Sequence, residues 1–324
     1  MRSDVRGPGI SVELLVELAS RFYLRGQTQA EIARDLGLDP STISRHLKRA
    51  RDEGIVRIEI RRPQGLHADL GRELADRFRL RRAVVVADSD DTNATVAGAA
   101  AEYLGTLLTN GTRLALSFGR MPSAVVHALP AGIVSGLEIS LLLGGFGVAR
   151  AGIQGHELAR HVASLYPRSR VHYLHAPLMV DSPDIKQAML RDGSIRAALA
   201  AAANSELALV GIGSLSEDAP LVRYGDLSAD DRDRLLRAGA VGDICARFFR
   251  ADGQPVMDFD DRMMAIERAE LAAIPTVVAV AAGPEKYAAI RGALRTGYVD
   301  VLVTDEMTAQ DILRDKVGPS RRAV

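Results

Sequence analysis

The chain has 324 residues, 47% of them apolar, which is enough for a sizeable core and favours two domains over one. Its 41 Lys and Arg balance 41 Asp and Glu, so a protein that grips nucleic acid over its whole surface is excluded, and any DNA-binding part is a minority of the chain. The single cysteine, Cys245, excludes an internal disulfide framework and Cys-rich zinc sites, and fits a reducing compartment.

The opening "MRSDVRGPGI" lacks the apolar core of a signal peptide, and no apolar run reaches the roughly 18 residues of a membrane helix. A cytoplasmic chain with no membrane partner is expected. "SVELLVELASRFYLRG" then places Leu14, Leu15, Leu18, Ala19, Phe22 and Tyr23 at helical spacing, ending at Gly26. In "TQAEIARDLGL", Thr28 and Glu31 form a capping box, and Ile32, Ala33 and Leu36 form the expected buried stripe. Gly37 stops that helix. A three-residue turn leads to Asp39 as N-cap and Pro40 at the first position of a second helix. This helix buries Ile43, Leu47 and Ala50.

Two short helices joined by a tight glycine turn are a helix-turn-helix pattern, in which the second helix enters the major groove. Ser41, Thr42 and Ser44 are short enough for close approach to base edges. Arg45 can reach guanine with two hydrogen bonds, while Lys48 and Arg49 suit phosphates. Thr28 and Gln29, at the start of the preceding helix, complete the candidate DNA-facing set. "GIVRIEIRRP" follows. Gly54 breaks the helix, and Val56, Ile58 and Ile60 alternate with charged residues, as in a wing strand. Between Arg21 and Arg62 ten basic residues face six acidic ones, a local excess inside a neutral chain. The bland alternative, a solvated charged helix face, accounts for the bases but not for the capping box, turn and apolar stripe together.

"RRPQGLHADLGRELADRFRL" reads as a hinge and an amphipathic helix, which puts a boundary between residues 1–62 and residues 63–324. Beyond it, the apolar runs "RAVVVAD", "RLALSFG", "LEISLLLGG", "VHYLHAP", "LALVGIG", "TVVAVAAG" and "VDVLVTD" alternate with helical segments. Such alternation predicts a Rossmann-like parallel sheet covered by helices on both faces, with the ligand site beyond the carboxyl ends of the strands. The strand-end loops supply Gly119, Arg120 and Ser123; Gly144 and Gly145; Gly211 and Ser214; Asp243, read as part of a loop "GAVGDI"; Lys286, at a helix start; and Asp305. Glycine loops, one or two cations and a few carboxylates suit a phosphorylated, hydroxyl-rich small molecule. Each element also has a plainer reading: glycines as turn chemistry, Lys286 as a surface lysine, Asp305 as a helix cap. The histidines show no metal-pair spacing, and Cys245 beside Ile244 and Phe248 reads as core. No metal, cofactor or catalytic residue is expected.

These segments resemble the SorC family of bacterial sugar-responsive transcription regulators. The likeness rests on "TQAEIARDLGLDPSTISRHLKRARDEGIVRI", "ALVGIGSL", "GAVGDICARFFRADG" and "IPTVVAVAAGPEKYAAIRGALRTGYVDVLVTDEMTA", and spans about Leu14 to Leu313. The resemblance implies a DNA-binding domain joined to a sugar-isomerase-like α/β domain that takes a phosphorylated sugar. It also implies operator affinity controlled through a homo-oligomer, dimer or tetramer, on double-stranded DNA. By position it makes Gly119 to Ser123 the phosphate loop, Asp243 the sugar-facing acid and Lys286 a second phosphate contact. Met121 and Pro122 stand where members often carry Thr or Ser; Met donates nothing to phosphate and Pro lacks an amide, so the expected effector is a small sugar or sugar phosphate, the latter with Ser123 and Arg120 as substitutes. Two other readings stay open: a sugar-phosphate isomerase- or deaminase-like enzyme with Asp243 or Asp305 as base, and a regulator whose α/β domain serves only assembly.

Overall fold

In the computed structural model, which describes residues 11–56, 66–146, 154–223 and 227–314, the first helical spacing becomes α1 (Val12–Ala19), continued by a π-helical turn over Ser20–Leu24. The chain divides into two compact units at residues 63/64. In the first, α2 (Gln29–Leu36) starts on the expected capping box. Thr28 Oγ1 accepts the Glu31 amide at 3.2 Å, and Glu31 Oε2 accepts the Thr28 amide at 2.7 Å. Gly37 ends the helix at φ +64°, a left-handed conformation that glycine adopts without steric cost.

The next helix, α3 (Pro40–Asp52), begins with Pro40 at N1. Asp39 is the N-cap residue by backbone alone. Its carbonyl accepts the amides of Thr42 and Ile43, and its side chain makes no capping hydrogen bond. Leu18, Ile32, Ala33, Ile43 and Leu47 form one small core, and Leu15, Ala19 and Ala50 a second. Leu36, expected in the stripe, is 36% exposed because it closes α2 at the edge of the turn. Val56 packs on the second core, while Ile58 and Ile60 of the expected wing lie outside the described residues.

The second unit opens with α4 (Ala68–Phe78) and β1 (Arg82–Val86), then α5 (Thr92–Leu107), β2 (Arg113–Leu116), α6 (Arg120–Ala128) and β3 (Glu138–Leu141). It continues through α7 (Gly155–Leu165), β4 (Arg170–His172), α8 (Pro183–Leu190), α9 (Gly193–Ala203) and β5 (Leu207–Gly211). The remaining elements are β6 (Gly213–Ser214), α10 (Pro220–Arg223), α11 (Ala229–Arg237), β7 (Ala240–Ile244), β8 (Arg247–Arg250), α12 (Arg268–Ala273), β9 (Thr276–Val280), α13 (Tyr287–Thr296), β10 (Val301–Asp305) and α14 (Glu306–Arg314). All seven apolar runs are strands of one parallel sheet, ordered β1-β10-β9-β5-β2-β3-β4. Central strands such as β5 and β9 are buried along nearly their whole length, as a sheet covered on both faces requires. The winding leaves β2 outward through β3 and β4, and leaves β5 outward through β9 and β10. The switch point therefore lies between β2 and β5. No helix among the described residues is long and apolar enough to cross a membrane.

A second, antiparallel sheet of β6, β7 and β8 was not expected. The segment "GAVGDI" is a strand rather than a loop. Its Gly242 lets the backbone lie against Gly213 and α13, where a Cβ would stand 2.5 Å from Gly213 O and 2.7 Å from Ala289 Cβ. β7 and β8 join through a two-residue turn, Cys245 and Ala246, both at positive φ (+53° and +59°) and neither a glycine. Side chains at such angles cost about 1–2 kcal/mol each. Behind the turn, the fully buried Arg247 donates to the carbonyls of Ile266 and Ala265 at 2.8 Å each. It also pairs with Glu267 at 3.2 Å and Asp260 at 3.5 Å. Arg268 holds Asp260 with two hydrogen bonds, and buried Lys186 reaches Asp260 O and Glu267.

Thr28→Ala removes one half of the capping box. It is expected to destabilise the first unit by about 1 kcal/mol, read as roughly fivefold faster hydrogen exchange in α2 and α3 with the parallel sheet unchanged.

Candidate functional site

α3 presents Ser41, Ser44, Arg45, Lys48 and Arg49 to solvent, with Thr42 half-buried. Arg45 Nη2 donates to Thr42 Oγ1 at 3.2 Å, one turn back. Arg49 pairs with Glu53 and Arg51 reaches the Tyr23 hydroxyl at 3.1 Å, whereas Arg45 and Lys48 have no acidic partner among the described residues. Burial, with Arg45 and Arg49 alongside, pushes the His46 imidazole below its ordinary pKa. Gln29 sits at the first position of α2, half-buried. Thr28 is exposed, and its hydroxyl takes part in the capping box, accepting from the Glu31 amide and donating to its carboxylate at 2.9 Å.

In the second unit a cavity of about 190 Å³ opens at the switch point. Ser117, at the end of β2, accepts the Gly211 amide at the end of β5 through its Oγ, at 3.2 Å. That bond holds the two strand ends where the winding diverges. The loop after β2 turns into α6 at Gly119, whose φ of +140° is open to glycine alone. The amides of Arg120 and Met121 at the start of α6 have no acceptor among the described residues. Pro122 contributes no amide. Its ring lies against Gly211 so closely that a Cβ there would come within 3.1 Å of it. The Met-Pro departure is thus accommodated by a glycine across the cavity.

Charge gathers around Lys286. Its Nζ donates to Ile212 O at 2.8 Å. Burial, and Arg120 nearby, hold its pKa below the usual lysine value against the opposing pull of Asp243 and Glu285. Asp243 is buried on β7, and its Oδ2 accepts the Ala246 amide at 2.9 Å. Its Oδ1 packs on Gly213, where any Cβ would collide with it. Burial raises the Asp243 carboxyl above the ordinary range, although the Ala246 amide and Lys286 pull it down. Burial likewise pushes the Cys245 thiol up, with Asp243 adding to the effect, so this cysteine is a poor nucleophile. Phe118 and Phe146 meet edge to face with centroids 4.9 Å apart on the cavity wall.

Five of the ten expected residues line the cavity: Gly119, Arg120, Gly211, Asp243 and Lys286. The other five do not. Ser123 is buried in the first turn of α6 and does not line the cavity, although Pro122 and Ala124 on either side of it do. Gly144 packs against the Ala176 and Pro177 carbonyls, and Gly145 pairs with Pro177, so both join segments of backbone. Ser214 bonds Ser216. Asp305 accepts the amides of Gly283 and Thr308 at 3.0 and 2.8 Å, and so caps α14 and fixes the loop that carries Lys286. Asn93, Ser117, Phe118, Phe146, Leu221 and Glu285 line the cavity unforeseen. Ser117, Phe118, Phe146 and Glu285 had a signal available, since they lie within two residues of strand-end glycines. Among the described residues no group of three His, Cys, Asp or Glu could hold a metal ion.

Comparison with known proteins places both units. The sugar-binding domain family matches residues 62–314, and the winged helix-turn-helix DNA-binding family matches residues 25–57. The transcriptional regulator LsrR of Klebsiella pneumoniae is 34% identical over 310 residues, 93% of each chain. The deoxyribonucleoside regulator of Bacillus subtilis is 29% identical, covering 94% of this chain and 98% of its own. The crystal structure of the full-length sorbitol operon regulator SorC from Klebsiella pneumoniae superposes with a TM-score of 0.70 at 30% identity, over 93% of this chain and 98% of that one.

Asp243→Asn keeps an acceptor for Ala246 and removes the charge. Because the folded carboxyl titrates above its unfolded value, the native state holds a proton that the unfolded chain releases, and stability falls as pH rises through the folded pKa. The ligand-free variant is therefore expected to melt above wild type by a margin that widens as pH rises above the ordinary aspartate range. A margin that stays constant with pH would contradict the assignment.

Proposed function

Because the chain belongs to the SorC family of sugar-binding transcriptional regulators, we propose that its operator affinity is set by a phosphorylated carbohydrate held at Arg120, Asp243 and Lys286. One observation carries this reading. An exposed cation, Arg120, stands at the positive end of α6, beside two amides with no acceptor among the described residues and a largely desolvated cation, Lys286. Without an anion that arrangement is unfavourable; with a phosphate every part of it is satisfied. A ligand hydroxyl would donate to Asp243 Oδ1.

In this reading residues 1–62 bind operator DNA and residues 63–324 bind the effector, in the cytoplasm where operators lie. Arg45 reads a base, Ser41, Thr42 and Ser44 allow close approach, and Gln29, Lys48 and Arg49 set register on the backbone. The protein works as a homo-oligomer, since a two-fold pair of heads matches a palindromic site. The effector acts by favouring one arrangement of the heads over another, and operator affinity changes by that difference. The role is regulatory and not enzymatic, as in the relatives. An assembly-only α/β unit would have no use for two cations around a cavity.

Arg45→Ala is expected to weaken operator binding by about 1–3 kcal/mol and random-sequence binding much less. In fluorescence anisotropy, an equal loss on both duplexes would make it a phosphate contact. Sugar phosphates are expected to raise the melting temperature more than the matching free sugars. Arg120→Ala and Lys286→Ala should each lose most of that difference while ligand-free operator binding is retained. Equal shifts from phosphorylated and free sugars would refute the phosphate assignment.

A further inference from the structure

We infer that the carbohydrate taken by this cavity is poor in hydroxyl groups: a deoxy or otherwise partly reduced sugar phosphate, with its charged end at the mouth and an apolar edge inward. The inference rests on the phosphate reading above and deepens it. Among the lining residues the polar side chains divide by depth. Asn93, Arg120 and Glu285 are exposed and Lys286 is half-buried, whereas only Ser117 and Asp243 are polar and buried.

Both buried groups are partly engaged. Ser117 Oγ accepts the Gly211 amide and keeps its O–H, and one oxygen of Asp243 accepts the Ala246 amide, which leaves Oδ1, so the inner side chains offer a ligand two polar groups. The rest of the inner wall is Phe118, Leu143, Ile212, Leu221, Cys245 and Ala282, each at most 8% exposed. A hydroxyl pressed against that wall would lose its water without gaining a partner. A methylene or methyl in the same place would gain contact area instead. The edge-to-face pair of Phe118 and Phe146 offers a rigid apolar surface to a C–H face of the ligand. A fully hydroxylated hexose has more hydroxyls than the two buried polar side chains, Ser117 and Asp243, can pair.

The test is calorimetric titration of the full-length protein with two matched pairs: ribose 5-phosphate against 2-deoxyribose 5-phosphate, and glucose 6-phosphate against 2-deoxyglucose 6-phosphate, with the four unphosphorylated sugars alongside. In at least one pair the deoxy compound is expected to bind roughly tenfold tighter, the scale of one buried unpaired hydroxyl. Equal or tighter binding of the hydroxylated member in both pairs overturns the inference while leaving the phosphate reading intact. If deoxy sugars bind as well without phosphate as with it, the phosphate reading falls and the hydroxyl-poor interior stands. If none of the eight binds, both fall. Leu221→Asn places a donor and an acceptor on the wall and is expected to narrow the deoxy preference. An unchanged ratio in that variant removes Leu221 from the specificity surface.

Discussion

Ser117 makes two hydrogen bonds to β5, its amide to Leu209 O and its Oγ from the Gly211 amide, where the parallel sheet parts its connections in two directions. Strands β2 and β5 are neighbours there, but the loops that leave them diverge, and no side chain is required to fill the gap. The two bonds fix the width of that gap. Gly211 must lack a side chain because Pro122 leans on it, and Gly213 must lack one because Asp243 occupies the space. Cavity, α6 terminus and buried carboxylate thus follow from the geometry of one strand junction.

The opposite wall is anchored by Arg247. Its guanidinium ties the strand after the Cys245–Ala246 turn to the carbonyls of Ala265 and Ile266, and Ala265 bridges Leu143 on the cavity wall. Replacing such a buried ionic cluster with apolar residues is often neutral for stability, but removing one member is not. Its value here lies in position: two stretches of cavity lining, far apart in sequence, are referred to the same buried group. That anchoring lets a turn with two non-glycine residues at positive φ persist.

The sequence declared its fold wherever burial is periodic or continuous. Seven apolar runs were seven strands, and the capping box at Thr28 and Glu31 formed with both hydrogen bonds. It concealed β6, β7 and β8, because their glycines serve close packing and the turn between β7 and β8 lacks the Asn-Gly or Asp-Gly pair that marks a tight hairpin. The site was half legible for a related reason. A glycine or acid at a strand end shows where a loop lies, not which way it faces. Gly144, Ser214 and Asp305 obey the same local pattern as Gly119 and Asp243, yet they join backbone segments or cap a helix. Asn93 and Leu221 reach the cavity from elements whose docking no local pattern reveals.

Asp243 and Lys286 stand desolvated in the same cavity without a direct ion pair, beside a turn held in an uncomfortable conformation. An empty cavity of this kind is a weak point, and whatever fills it acts as a keystone. Between bouts of its signal the vacant regulator would open more often and meet proteases more readily. The molecule's lifespan, and with it the number of copies patrolling the chromosome, would then rise and fall with the metabolite it watches.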